Sequence, residues 1–446
     1  MFDVITKHKN LLTVGGASLI FILFFVMIFF PYQTTIKTDN EIEWQRMYGG
    51  SQQDWAYSIQ QTADGGFIVA GVSESIDIPG CNNHGKHDMY VLKLDSSGVI
   101  EWQQLYGGSG NDYAYVIQQT SDGGYILIGE SESSDIPGCV NNGYFDAIIL
   151  KLDSLGNIEW QQMYGGSDYD LVISIQQLPE DGYIVAGETR STDISGCTNS
   201  GNADVYILKL ASNGSIIWQE LFGGENADRA LSIQQTSDDG FIVFGSSKSM
   251  NTTCTNHGDY DYYALKLTRE GAIVWEKMFG GSSREWGFSI IQTSDDGFIA
   301  CGLSSSTDIP NCPSLGEWDS YLIRLNSTGS LLWQKKYGGS SSDLSYKIQS
   351  INSDFICLGG SWSKDIPGCA NSGERDYYLF KIDSNGDLKW QKLYGGSKTD
   401  YASSFDHTVD GGLIIAGGSG SKNIDKVSNR GEWDIYLIKL STHVQL

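Results

Sequence analysis

The stretch Ile100-Glu101-Trp102-Gln103-Gln104-Leu105-Tyr106-Gly107-Gly108 decides the fold, because the chain carries seven versions of it. Trp44, Trp102, Trp160, Trp218, Trp275, Trp333 and Trp390 follow one another at intervals of 58, 58, 58, 57, 58 and 57 residues, each shortly before a Gly-Gly pair. A period this regular marks a repeat architecture, in which each unit buries its apolar face against its neighbours. Outward from Trp102 the unit reads as four strands over 56–62, 67–73, 89–94 and 99–106, here called a, b, c and d. All four are rich in β-branched and aromatic residues. Asp64-Gly65-Gly66 supplies a tight a–b turn and Asp95-Ser96-Ser97-Gly98 a tight c–d turn. The long connections, b–c and d–a, then emerge together on one face.

Four strands per unit, repeated radially, make a β-propeller blade. The chain ends agree. Residues around 43–48 form a d strand without its own a, b and c, and the last repeat stops after a c strand at 435–440. Pairing the two completes a seventh blade and removes two exposed sheet edges. The expected fold is therefore an all-β, seven-bladed propeller of four-stranded blades over residues 41–446. A linear solenoid would leave both ends unpaired.

Composition and charge narrow the functions. Twelve per cent aromatic residues and 54 Gly against 7 Pro suit short strands and tight turns. With 54 acidic against 29 basic residues, the net charge of -25 repels a phosphate backbone and argues against nucleic acid as a partner. Residues 11–30 carry no charge and are about long enough for a membrane-spanning helix. Lys7 and Lys9 precede that run, and Asp39, Glu41 and Glu43 follow it. The positive-inside rule then puts residues 1–10 in the cytoplasm, an anchor helix at 11–31, a linker at 32–40 and the propeller outside the cell. The run ends Ile28-Phe29-Phe30-Pro31-Tyr32, without the small residues of a signal-peptidase site, so the anchor is read as uncleaved.

The repeat, Tyr-Gly-Gly-Ser, an acidic residue, Asp-Gly-Gly-Phe-Ile-Val-Ala-Gly, Gly-x-x-Asp and Lys-Leu-Asp-x-x-Gly, resembles the seven-bladed propeller repeats of bacterial and archaeal cell-surface proteins, the SBBP-like repeats. The resemblance covers about residues 41–446. It implies a fold and a surface location, and it implies no particular activity. The Asp95-to-Trp102 stretch also resembles the tryptophan-docking motif of quinoprotein propellers and, with different spacing, the sialidase Asp box. It implies a blade-docking role for the tryptophans and neither quinone nor sialic-acid chemistry.

Several repeated residues are candidates for more than folding. Asp54, Asp112, Asp170, Asp228, Glu285, Asp343 and Asp400 open every a strand. With strand a innermost, they would ring one channel mouth, where a cation such as Ca²⁺ finds oxygen ligands. The competing reading has each carboxylate accept backbone N–H groups of its own loops. Asp88, Asp146, Asp204, Asp261, Asp319, Asp376 and Asp434 open every c strand three residues after a glycine. They are expected to tie down the b–c loop, with Gly85 and its equivalents at positive φ. Lys93, Lys151, Lys209, Lys266, Arg324, Lys381 and Lys439 are expected to pair with hairpin carboxylates such as Asp64. Cys81, Cys139, Cys197, Cys254, Cys312 and Cys369 share one loop position, where equivalent Cα atoms on a sevenfold ring lie too far apart for simple disulfides. They are read as packed thiols, and Cys301 and Cys357 as core residues. Cys81, His84, His87 and Asp88 fall within eight residues and offer transition-metal ligand types.

Departures from the repeat bear on function. Trp55, Trp286, Trp318, Trp362 and Trp433 lie beyond the seven periodic tryptophans, next to long loops of blades 5, 6, 7 and 1. Aromatic rings beside carboxylates suit a sugar or protein partner; the competing reading packs them between loops. No Ser-His-Asp arrangement is visible. The sequence is therefore read as a membrane-anchored binding or adhesion module for a glycan or protein. A scaffold subunit of a membrane assembly is the alternative, and an extracytoplasmic hydrolase or lyase a lesser one.

Overall fold

A computed structural model describes residues 41–180, 182–250 and 254–442. The cytoplasmic tail, anchor helix and linker expected at 1–10, 11–31 and 32–40 lie outside the described residues. Among the described residues every regular element is a strand, and no helix is long and apolar enough to cross a membrane.

The strands form seven separate four-stranded sheets, one per blade, with every neighbouring pair antiparallel. Blade 1 runs a Asp54–Gln61, b Phe67–Ser73, c Asp88–Leu94 and d Ile100–Tyr106. In the seventh sheet the first strand, Ile42–Tyr48, pairs with the last, Asp434–Leu440, in a register running from Ile42 opposite Leu440 to Tyr48 opposite Ile435. The inference from the two incomplete ends holds.

The core lies between sheets. Strands b and c of blade 1 are buried at every residue, because both faces meet a neighbouring blade. On one side Ile68, Ala70, Met89 and Val91 pack with Ala114, Ile117, Tyr125 and Leu127 of blade 2. On the other, Ala56, Ile59, Phe67 and Val69 pack with Ile414, Ala416, Ile435 and Leu437 of blade 7, so the ring closes through side chains as well as strands. The periodic tryptophans dock between blades as expected. Trp44 meets Phe67 edge-on at 5.8 Å and Trp102 meets Tyr125 at 5.9 Å, each an aromatic that opens the next b strand. Tyr48 and Tyr106 add hydroxyl bonds of 2.6 Å to the turn carbonyls of Gly98 and Gly156.

Two local features differ from expectation. Gly85 and its equivalents do not adopt positive φ; the positive values fall at turn glycines such as Gly65 and Gly80. A Cβ on Gly85 would instead lie 2.4 Å from the Gly110 carbonyl oxygen, so glycine is required by the approach of the next blade's d–a loop. Every a strand also carries a β-bulge, at Tyr57, Tyr115, Ile173, Leu231, Phe288, Tyr346 and Ser403. A bulge re-aims a side chain, and these seven line the central channel.

Candidate functional site

The seven a-strand carboxylates are fully buried and already engaged. Asp54 Oδ2 accepts the Gly50 N–H at 2.8 Å and the Ser75 hydroxyl at 2.9 Å, and the pattern recurs through Asp170 with Gly166 and Ser191 and Glu285 with Gly281. Each therefore ties its d–a loop to its own b–c region. The c-strand carboxylates hold the b–c loops: Asp88 Oδ2 accepts the His84 N–H at 2.7 Å and Asp146 Oδ2 that of Asn142 at 2.7 Å. The two sets meet across blade boundaries, since the point a Cβ on Gly165 would occupy lies 2.6 Å from Asp170 Oδ2 and 2.7 Å from Asp146 Oδ1. Burial first, and the facing carboxylate with it, pushes Asp54, Asp146, Asp204 and Asp376 up to about 6.

The transition-metal quartet does not converge. His84 Nδ1 sits 3.0 Å from Asp88 Oδ2, His87 Nε2 2.7 Å from Glu74, and the Cys81 thiol donates to the Gln103 carbonyl at 3.5 Å. Among the described residues no group of three or more His, Cys, Asp or Glu is arranged to hold a metal ion. All eight cysteines are free thiols, with Cys301 and Cys357 buried in the core. The strand-c cations pair with the a–b hairpin as expected: Lys93 with Asp64 at 2.8 Å, Lys151 with Asp122 at 2.8 Å, Lys209 with Glu180 at 3.3 Å, Lys266 with Asp238 at 2.9 Å, Arg324 with Asp295 at 2.6 Å, Lys381 with Asp354 at 3.1 Å and Lys439 with Asp410 at 2.9 Å.

Of the five extra tryptophans, all half-buried, the structure joins three into one run across blades 6, 7 and 1. Trp55 and Trp433 stack at 4.4 Å, and Trp55 meets Tyr401 edge-on at 5.6 Å. The Arg375 guanidinium lies between Tyr401 and Trp362, 3.9 and 4.3 Å from their ring centres, and donates to the Tyr346 hydroxyl at 3.0 Å. Arg375 is 97% buried by this packing, without a carboxylate partner among the described residues. Its charge is met by ring faces. Trp286 belongs to a second group, 5.4 Å from the Arg229 guanidinium and 5.3 Å from Tyr260. Arg229 Nε in turn stands 2.6 Å from Glu188 Oε2, a charge contact off the hydrogen-bond axis. Trp318 makes no ring contact with either group.

Counting tryptophans missed part of the pattern. Blades 2 and 3 contribute Tyr113, Tyr144, Phe145 and Tyr169, with Phe145 and Tyr169 stacked at 5.3 Å and Arg190 5.1 Å over Tyr169. Arg375, Tyr401 and Tyr346 were missed because nothing in the repeat marks them until the blades are folded together.

The channel itself holds a cavity of about 520 Å³ lined by all seven a strands. Beside each bulge comes a position that is polar in six blades, Ser58, Ser174, Ser232, Ser289, Lys347 and Ser404 with Val116 the exception, and two residues later another, Gln60, Gln118, Gln176, Gln234, Gln349 and Asp406 with Ile291 the exception. Most of these serines and glutamines bind the neighbouring blade: Ser174 Oγ accepts the Ile233 N–H at 3.0 Å and Gln60 Oε1 the Gln119 N–H at 2.7 Å. Lys347 and Asp406 put a charge into each ring, on adjacent blades.

No known protein family matches the chain. Among curated proteins it is similar to the regulatory protein FlaEY of Caulobacter vibrioides, 23% identical over 386 residues covering 76% of this chain. The chain spans only 40% of that relative's length. Among solved structures, the Pan2 WD40 domain of Neurospora crassa aligns with a TM-score of 0.46 at 10% identity, covering 88% of this chain and 99% of that one. Sqt1 of Chaetomium thermophilum aligns at 0.42 and 10% identity, covering 85% and 82%.

Proposed function

We propose that this protein is a non-catalytic binding module whose long-loop face, at blades 6, 7 and 1, takes a protein or glycan partner. The observation that carries this reading is the joined run Trp433–Trp55–Tyr401–Arg375–Trp362, half-buried rings held by a cation inside a rigid ring of sheets. Preorganised aromatic faces bind sugars and protein side chains with little loss of conformational entropy. The uncharged segment at 11–30 supports anchorage in a membrane with the propeller on the outer side. Residues Trp286 and Trp318 extend the candidate face without joining the run. The a-strand carboxylates from Asp54 to Asp400 are assigned loop-tying roles first, with Ca²⁺ binding as their second reading.

Replacing Trp55 and Trp433 together with Ala is expected to weaken capture on a glycan array, or of a cell-surface partner, about thirtyfold, with the melting temperature of the blades retained. Unchanged capture by the double variant would refute the face. A scaffold role within a membrane assembly is the second reading, favoured by the name of the Caulobacter relative, a regulatory protein. Stable co-purification of fixed partners from solubilised membranes would select it over adhesion.

A further inference from the structure

The central channel carries charged side chains of its own, on a lining that shares Tyr401 with the aromatic run. Lys347 and Asp406 stand on adjacent a strands and both line the cavity. They bear opposite charges, and the Asp406 charge acts on Lys347. Yet neither has an ion-pair partner within 4 Å among the described residues, each other included. Lys347 Nζ donates to the Ser404 hydroxyl at 3.0 Å, and Asp406 accepts the Gln61 N–H at 3.0 Å and the Gln349 amide at 3.4 Å. Two further groups on the same arc have no hydrogen-bond partner although their atoms are buried: the hydroxyl of Ser403 and the side-chain carbonyl oxygen of Gln349. Buried polar groups are normally paired, so each such atom calls for an account.

Symmetry shows how this arc was made. Six of the seven bulge positions carry Tyr, Phe, Ile or Leu; Ser403 alone is small and leaves room beside Lys347. Lys347 stands where five other blades have serine, and Asp406 where five have glutamine. In the other blades these serines and glutamines stitch neighbours together. Here charged groups make the stitching, Asp406 accepting the Gln61 N–H of blade 1 and Lys347 donating to Ser404 of blade 7, with Tyr57, Tyr115 and Tyr346 lining the same cavity. The cavity is within the size range of small-ligand sites.

We propose that this arc binds a small zwitterion of the α-amino acid class. The carboxylate of the ligand lies against the Lys347 ammonium and its ammonium group against the Asp406 carboxylate, both on the cavity lining. The charges of ligand and arc also cancel pairwise, which makes the charge-assisted bonds strong in a screened channel. The apolar part of the ligand rests on the tyrosine rings. Burial alone disfavours the Lys347 ammonium; a bound carboxylate restores it.

The test uses the full chain in detergent and two substitutions that restore what other blades already carry, Lys347→Ser and Asp406→Gln, so both variants are expected to fold. Titration calorimetry with each free L-amino acid in turn, and with acetate and ethylamine as single-charge controls, is expected to find an amino acid that binds the parent chain. Acetate and ethylamine are expected to bind at least tenfold more weakly, and each variant to lose about tenfold or more in affinity for that amino acid. Three results would overturn the proposal: no amino acid binding to the parent chain, acetate or ethylamine binding as tightly as the zwitterion, or both variants retaining full affinity. Trp55 and Trp433 are not part of this arc, so failure here leaves the long-loop face standing, and the reverse holds too.

Discussion

Asp146 and Asp170 show how a repeated carboxylate becomes a condition on stability. Both are fully buried, on neighbouring blades, and their charged forms are opposed first by lost hydration, then by a nearby carboxylate, Asp170 for Asp146 and Asp193 for Asp170. A carboxyl held at about 6 in the folded state, against roughly 3.9 when unfolded, is protonated first in the native protein. Between those values the folded state holds more protons, so stability falls as pH rises and the loss is complete above about 6. The hairpin carboxylates act in the opposite sense: Asp64, Asp122, Asp238 and Asp295 are held at about 2. Their hydrogen bonds to the strand-c cations, the hairpin hydroxyl and the turn N–H overcome desolvation. They contribute stability above the unfolded value and lose it as pH drops toward 2. The melting temperature is therefore expected to rise from pH 8 to about 5 and to fall again below about 4. Asp146→Asn should flatten the upper limb. A melting temperature that is constant or increasing between pH 5 and 7 would contradict this assignment.

At the scale of the strand and its loops, the sequence was legible wherever the constraint was local and repeated. The a, b, c and d strands follow from Trp102 and the Asp64-Gly65-Gly66 turn, because strand propensity and turn chemistry act within a few residues. The bulge at Tyr57 was not legible: it is a property of pairing between Ala56 and Gly71 and between Ser58 and Ala70, and no residue type announces it. The candidate face was half legible for the same reason. Trp55 and Trp433 stand out as breaks in the period, but their stacking joins the first and last repeats, and Arg375 gains meaning only from Tyr401 and Trp362 beside it. Gly143 shows the difference between a local and a tertiary cause. A glycine before an Asp-led strand suggests a turn needing positive φ, whereas the structure places the Asp168 carbonyl oxygen 2.3 Å and the Gly166 carbonyl oxygen 2.6 Å from where its Cβ would stand. Gly143→Ala is accordingly expected to push two backbones apart and cost about 1–3 kcal/mol in chemical denaturation. Gly65→Asn, at φ +83° with open space around the position, is expected to change stability by only a few tenths of a kcal/mol.

For the molecule as a whole, closure decides whether seven blades behave as one body. Each sheet buries both faces against neighbours, so no blade has a core of its own; the apolar side chains of blade 7 are covered by blade 1 and those of blade 1 by blade 2. Cooperativity therefore passes around the ring, and its one seam without covalent continuity within a sheet is the pairing of Ile42–Tyr48 with Asp434–Leu440. Lys439 marks how firmly that seam is held, since it pairs with Asp410 on its own hairpin at 2.9 Å and with Glu43 on the incoming strand at 3.3 Å. Removing residues 41–48 would strip a central strand of its partner, leave a row of unpaired backbone groups at a sheet edge, and uncover the ring contact between Trp44 and Phe67. The truncated chain is expected to melt earlier and over a broader range, and to self-associate through the freed strand in sedimentation experiments. Adding the 41–48 segment back as a separate peptide should reverse both effects by supplying the missing strand. If the truncated chain instead melted as sharply and as late as the parent, the seam would not be the element that couples the seven blades.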